Sequence, residues 1–279
     1  MKDKSHITYK QLLEIVSWGI FSMDMKGNSV YDERLYKIKN IEGASYGGIY
    51  VGSPGRDIYY MLPFLREEEM KEVAILLCSK FPKYPPNSYV NVAACIRFIY
   101  GQFEKQGVLK SEEELKKMKE SKIDWSLPRK FLKLLYNEMK ENDNFYGLVM
   151  LCEMEGHRLG DEAVINKDKI KLDEMEKKYN ESVKYAYKCG SYKHMFSIYY
   201  WMGKYFKEFG ETDKAVKYFK LSIIKASKYY RKYFIKGDQY YSKRLSNSFD
   251  YIKKYDIDNW ENFKKKYKKN IKNRFKKED

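Results

Sequence analysis

The sequence predicts an all-α fold of irregular helical hairpins, an expectation resting on three observations. Between Tyr192 and Tyr230, two amphipathic patterns of similar length meet at Gly210-Glu211-Thr212. Apolar residues recur at steps of three and four through most of the remaining chain, the spacing of one face of a 3.6-residue helix. Hydrophobic residues make up 43% of 279 residues, enough to bury a sizeable core, which excludes wholesale disorder.

Residues 8–21 (TYKQLLEIVSWGIF) read as a first amphipathic helix, with Leu12, Leu13, Val16 and Ile20 on one side. The period then changes. Aromatic and β-branched residues alternate loosely from Ser29 to Gly52, which predicts a short β-hairpin or an irregular loop. Gly43, Gly47, Gly48, Gly52 and Gly55 superficially resemble a phosphate cradle, but the stretch lacks the GK[ST] ending of a P-loop and the spacing of a dinucleotide fingerprint. It reads as a structural loop. Ser53-Pro54 has the form of an N-cap followed by proline at the first helical position, and Arg56 beside such a helix start has the charge to hold an anion.

From Arg56 onward the pattern is helical. A short segment over 56–65 breaks near Pro63, and Arg66–Phe81 follows with Met70, Val73, Ala74, Leu77 and Cys78 inward. Pro82, Pro85 and Pro86 impose a stop; Asn87 then caps a helix to about Gln106 with Val92, Ile96, Ile99 and Phe103 on its inner stripe. Ser111 and Glu114 stand in the capping-box relation ahead of a highly charged helix, which reads as a solvated face. Trp125–Pro128 interrupts the pattern. Helices are then expected over Arg129–Asn142, with Phe131, Leu132, Leu135 and Met139 inward, and over Phe145–Arg158, closing at Gly160. A loop at 161–170 and a long helix to Lys188 bring the chain to Gly190.

In the hairpin itself, Phe196, Tyr199, Met202, Gly203 and Phe206 share one helical face, and Ala215, Tyr218, Phe219, Ile223 and Ala226 share another. Gly210 suits a left-handed C-terminal turn, and Thr212 is the expected N-cap of the second helix. Lys232–Tyr255 continues helically with a turn near Gly237, and a last helix spans Asn259–Lys277 with Asp258 and Glu261 as a capping box. These changes of pattern divide the chain into 1–55, 56–170, 171–257 and 258–279.

Tyr199, Met202, Gly203, Phe206, Gly210, Ala215 and Phe219 fall at the spacings of a tetratricopeptide repeat, so residues 196–229 resemble one such repeat. Ser222 and Ser227 depart from the alanine and proline usual there, and the neighbouring segments do not repeat the pattern on schedule. The resemblance implies a TPR-like solenoid whose concave groove is lined by the first helix of each pair. Carried to this chain, it places Ser197, Tyr200, Lys204 and Lys207 on the groove side, suited to an acidic peptide or a chain carboxylate.

The formal net charge is +16. We count only nine arginines against 46 lysines, and a specific base-reading site favours arginine. An AT-rich genome or life at high temperature accounts for the lysine excess as well as a function does. The excess is concentrated: residues 225–279 hold 18 Lys+Arg against 7 Asp+Glu, a net +11 that leaves +5 for the first 224 residues. Within the last helix, Lys264, Lys265, Lys268, Lys269, Lys272 and Arg274 form a basic patch beside Phe263, Tyr267, Ile271 and Phe275. That helix reads as a docked terminal helix, a nucleic-acid backbone contact, or an attachment to an anionic surface. An acidic partner protein competes with the last two.

Cys78, Cys95, Cys152 and Cys189 form no CxxC pair and read as buried free thiols in a reducing, cytoplasmic compartment. The apolar run Ile15–Met23 is too short and broken to span a membrane. His6, His157 and His194 are far apart, and a Cys152/His157 site fails because a step of five puts the two on different helix faces. No catalytic residue, metal or cofactor is therefore expected. The sequence predicts a non-enzymatic protein–protein interaction adaptor or scaffold; the alternative is a nucleic-acid-associated protein acting through its lysine-rich C-terminal segment.

Overall fold

A computed structural model describes residues 8–18, 55–81, 126–232 and 239–272, with Lys83, Ile96 and Ile99. The described residues are all-α. They form ten α-helices and one short 3-10 turn, with no strand among them. The expected hairpin or loop over 29–52, its glycines before Gly55, and the charged helix from Ser111 lie outside the described residues.

The chain divides into two units, Met1–Met154 and Glu155–Asp279. The first contains α1 (Tyr9–Trp18), α2 (Gly55–Met61), the 3-10 turn Leu62–Phe64, α3 (Glu67–Lys80), α4 (Ser126–Glu141) and the beginning of α5 (Phe145–Asn166). The second contains the rest of α5, α6 (Lys169–Lys188), α7 (Tyr192–Phe209), α8 (Thr212–Lys232), α9 (Gln239–Tyr255) and α10 (Ile257–Lys272).

In the first unit the expected stripes are buried: Met70, Val73, Ala74, Leu77 and Cys78 on α3, and Phe131, Leu132, Leu135 and Met139 on α4. On α1 the buried side is Leu12, Ile15 and Val16, with Leu13 only half-buried. The Glu69 carboxylate accepts the Arg66 N–H at 2.8 Å, satisfying an otherwise unpaired donor at the start of α3. Pro63 sits in the 3-10 turn that ends α2, as the expected break required. Buried Asn144 joins α3 to α5, donating to the Phe81 carbonyl at 3.0 Å and accepting from Gly147 N–H at 2.9 Å.

Three expectations about helix limits are corrected. Helix α4 begins at Ser126, so most of the interruption expected over Trp125–Pro128 is helical, with Pro128 in the first turn where its missing N–H costs nothing. Helix α5 runs through Gly160 to Asn166 and takes in most of the expected loop at 161–170. The reason is packing: Gly160 and Gly156 are places where aromatic rings press onto the helix, so these glycines are close-approach sites inside it. The real break comes at Lys167, with φ 54°, followed by Asp168, whose carboxylate accepts from Ile170 and Lys171 N–H at 2.9 and 3.1 Å. Helix α10 likewise begins at Ile257, ahead of the expected Asp258 cap; Asp256 precedes it and accepts from the Asn259 side chain at 3.1 Å.

The α7–α8 hairpin carries the apolar faces expected of it. Phe196, Tyr199, Met202, Phe206, Ala215, Tyr218, Phe219, Ile223 and Ala226 are all buried. Gly210 closes α7 at φ 101°, in the left-handed region. Glu211 accepts the Ala215 N–H at 3.0 Å, so Glu211 occupies the cap and Thr212 is the first helical residue. Phe206 stacks on Tyr218 with centroids 5.4 Å apart, and buried Ser222 donates to the Phe196 carbonyl at 3.1 Å. Each large apolar side chain sealed in this way contributes about 1.5–3 kcal/mol.

Candidate cation–aromatic interface

On α7, Ser197, Tyr200, Trp201, Lys204 and Lys207 follow one another at steps of three, one, three and three, and so share one side of the helix. That side meets α9. Arg244 donates to Ser197 Oγ at 2.8 Å, Asn247 Nδ2 stands 3.5 Å from the Tyr200 hydroxyl, and the Lys207 ammonium lies 5.8 Å from the Tyr251 ring centre. These pairs advance together along both helices, so α7 and α9 run parallel.

Two cations attend one ring. The Lys204 ammonium lies 4.7 Å from the Trp201 ring centre and the Arg244 guanidinium 5.0 Å from it; the guanidinium is also 5.2 Å from Tyr200. Such contacts are each worth about 0.5–2 kcal/mol, more as water is excluded. Burial holds the Lys204 ammonium below its ordinary ionisation range. The positive charges of Lys207 and Arg244 push the same way, while Glu208 and Asp161 oppose them.

A hydrogen-bonded cluster backs the ring. His157 packs edge-on to Trp201 at 4.9 Å and 86°, and its Nδ1 is 2.8 Å from the Tyr179 hydroxyl. Tyr205 donates to Asp161 Oδ1 at 2.9 Å. These contacts hold Trp201 in one orientation.

The four expected groove residues are therefore brought onto one side of α7, but with different exposure. Ser197 and Tyr200 are buried under α9, Lys204 is half-buried, and Lys207 is exposed. Of the expected basic patch on α10, Lys264 pairs with Glu261 at 3.1 Å and Lys265 is exposed. Lys268, Lys269 and Lys272 lie on the described helix with side chains outside the description, and Arg274 lies beyond the described residues. Helix α10 docks through Trp260, which meets Phe249 with centroids 5.9 Å apart.

Trp201, Arg244 and Tyr205 are not among the residues the sequence points to, and His157 enters the sequence reading only as one of three scattered histidines and beside Cys152. Trp201 was within reach of the helical spacing, four residues after Ser197. Arg244 had no local signal, because its contact with Ser197 spans 47 residues.

Among the described residues no cluster of three or more His, Cys, Asp or Glu is placed to hold a metal ion, and no helix is long and apolar enough to cross a membrane. No protein-family model, curated protein or solved structure matches the chain.

Proposed function

We propose that this chain is a non-enzymatic interaction protein, an adaptor or scaffold whose helical hairpins stack as a TPR-like solenoid and engage an acidic segment of a partner protein. The observation that carries the reading is the pair of cations, Lys204 and Arg244, on the Trp201 ring, with exposed Lys207 further along the same side of α7. A half-buried ammonium whose charge is penalised by burial gains most from an incoming carboxylate, which restores the stability of the charged form. Trp201 and Tyr200, themselves buried, hold the Lys204 and Arg244 cations in place beside that approach. The buried thiols of Cys78, Cys152 and Cys189, none of them in a disulfide, accord with a reducing, cytoplasmic setting.

The test is affinity capture on the full-length chain, with bound proteins identified by mass spectrometry, comparing the native protein with Lys204→Glu/Lys207→Glu. The reading expects an acidic partner lost by the variant. Because Lys204→Glu also removes a cation–aromatic contact, Lys207→Glu alone, on an exposed side chain, should weaken capture at unchanged thermal stability. Equal capture by the native protein and the double variant would reject it.

A further inference from the structure

Alternation of helix direction sorts the charges of the second unit. Its α5–α6, α7–α8 and α9–α10 turns share one end, as contacts between the successive hairpins show. Lys169 at the first turn pairs with Glu211 at the second, and Lys220 on α8 pairs with Asp256 at the third. The contacts of Lys214 with Glu176 and of Lys225 with Tyr187 keep α8 parallel to α6 in the same way. The turn end is rich in carboxylates, including Asp168, Asp173, Glu211, Asp213, Asp256 and Asp258.

The opposite end gathers the last turns of α6, α8 and α10 and the first turns of α7 and α9. Residues 182–207, 214–237, 239–249 and 262–277 contain no aspartate or glutamate at all. Lys184 and Lys188 are exposed at the end of α6, as are Lys265 and Lys266 on α10. Two segments distant in sequence thus supply one field of positive charge, which neither supplies alone.

Tyrosines stand among the lysines of the basic end, as Tyr255 stands beside Lys254 at the other, where carboxylates surround the pair. Tyr187, 53% exposed, lies at the basic end with the Lys225 ammonium 4.5 Å from its ring centre, and Lys266 attends Tyr267 at 5.5 Å. The most exposed aliphatic side chains, Ile170 and Ile257 at 72% each, lie at the carboxylate end. A membrane-binding surface needs its apolar side chains among its lysines, and among the described residues the exposed aliphatic ones lie at the other end. Tyrosine faces among lysines fit single-stranded nucleic acid, whose bases stack and whose phosphates take the charge.

We propose that this basic end binds the phosphate backbone of single-stranded nucleic acid, without base-specific readout. The surface is distinct from the α7–α9 interface, and lysine point charges give affinity without the planar fork that reads bases.

The experiment uses the full chain and fluorescein-labelled dT20 and U20, followed by anisotropy from 50 to 400 mM salt. Binding is expected, with a log–log salt slope of about −3 if four phosphates are neutralised. Lys184→Glu/Lys188→Glu on α6 and Lys265→Glu/Lys266→Glu on α10 should each weaken binding at least tenfold, while Lys253→Glu/Lys254→Glu at the carboxylate end should change it less than twofold. Circular dichroism of all three variants checks their helicity. No binding at 50 mM salt overturns the proposal, as does equal weakening by the Lys253/Lys254 variant, which would reflect net charge alone. Flotation with phosphatidylserine vesicles in the absence of oligonucleotide binding overturns it in favour of a lipid surface.

Discussion

The Tyr205 ring lies flat against Gly160: a Cβ placed on that glycine would stand 2.7 Å from the ring carbons. The same ring donates its hydroxyl to Asp161, one residue along α5, at 2.9 Å. Gly160→Ala therefore sets two effects against each other. Alanine favours the helix by about 1 kcal/mol, while overpacking against a buried ring costs about 1–3 kcal/mol. Because Tyr205 is held by hydrogen bonds and is only 2% exposed, the ring cannot swing aside, and steric cost should win. Urea unfolding is expected to show a net loss of about 1–2 kcal/mol. In a Tyr205→Leu background the penalty should vanish, leaving the helix preference of alanine.

This glycine also shows where reading the sequence stops. A glycine near the end of an apolar stripe has the form of a helix terminator, and only the partner ring from α7, 45 residues away, reveals it as a close-approach site. The faces of α3, α4, α7 and α8 were legible because helical period is a local property. Ser222 was legible only as a departure from a repeat pattern; its bond to the Phe196 carbonyl explains why a hydroxyl is tolerated in that core. The interface residues divide in the same way. Lys204 and Lys207 follow from the spacing along α7, whereas Arg244 enters through helix stacking.

Gly210 and Gly203 predict opposite origins for similar losses. Nothing lies within 4 Å of a Cβ at Gly210, but its φ of 101° strains any L side chain. Gly210→Ala should cost about 1 kcal/mol, and Gly210→Asn less, since asparagine tolerates the left-handed region. Gly203 has no such backbone constraint, yet its Cβ would stand 2.8 Å from Phe219. Gly203→Asn should therefore be worse than Gly203→Ala, the reverse of the order at Gly210. Thermal denaturation of the four variants checks the crossover.

Acid stability should depend on Glu176. Burial tends to raise its ionisation range, but hydrogen bonds from Lys214, at 2.7 Å, and from Tyr218 outweigh burial and hold the carboxyl below the ordinary glutamate value. A carboxyl depressed in the folded state stabilises fully above its unfolded value of about 4.3 and loses that contribution as pH falls through the folded one. Glu176→Gln should lower stability at pH 7 and flatten the decline below about pH 4.3, measured as urea midpoints from pH 7 to pH 3. An unchanged slope would assign the acid limb to other carboxylates.

Burial pushes the Cys78 and Cys189 thiols above their ordinary range, with backbone hydrogen bonds at Cys189 only partly opposing it. Since the thiolate is the reactive form, both should resist a disulfide reagent at pH 8 in the native protein and react in guanidinium. Peptide mapping after a timed quench separates them from the other cysteines. Rapid native labelling of either would mean that its helix opens locally far more often than its burial implies.

Arg244 offers the sharpest test of how α9 is held and how the interface is tuned. The residue is 7% exposed, and its guanidinium lies against both Tyr200 and Trp201 and donates to Ser197. Lysine would keep the charge but lose the planar stacking, and an ammonium is costlier than a guanidinium to take out of water. Methionine would keep most of the packing and remove the buried charge, an exchange that is often nearly neutral. Arg244→Lys should therefore be the more destabilising of the two, against the usual ranking of conservative changes. The methionine variant should also move Lys204 in a defined direction. The Arg244 charge helps hold the Lys204 ammonium below its ordinary range, so removing it should raise Lys204, an upward shift visible by NMR titration of labelled lysine side chains. A Lys204 that does not respond would show that burial alone depresses it, and would uncouple the two cations on which the proposed acidic-partner site depends.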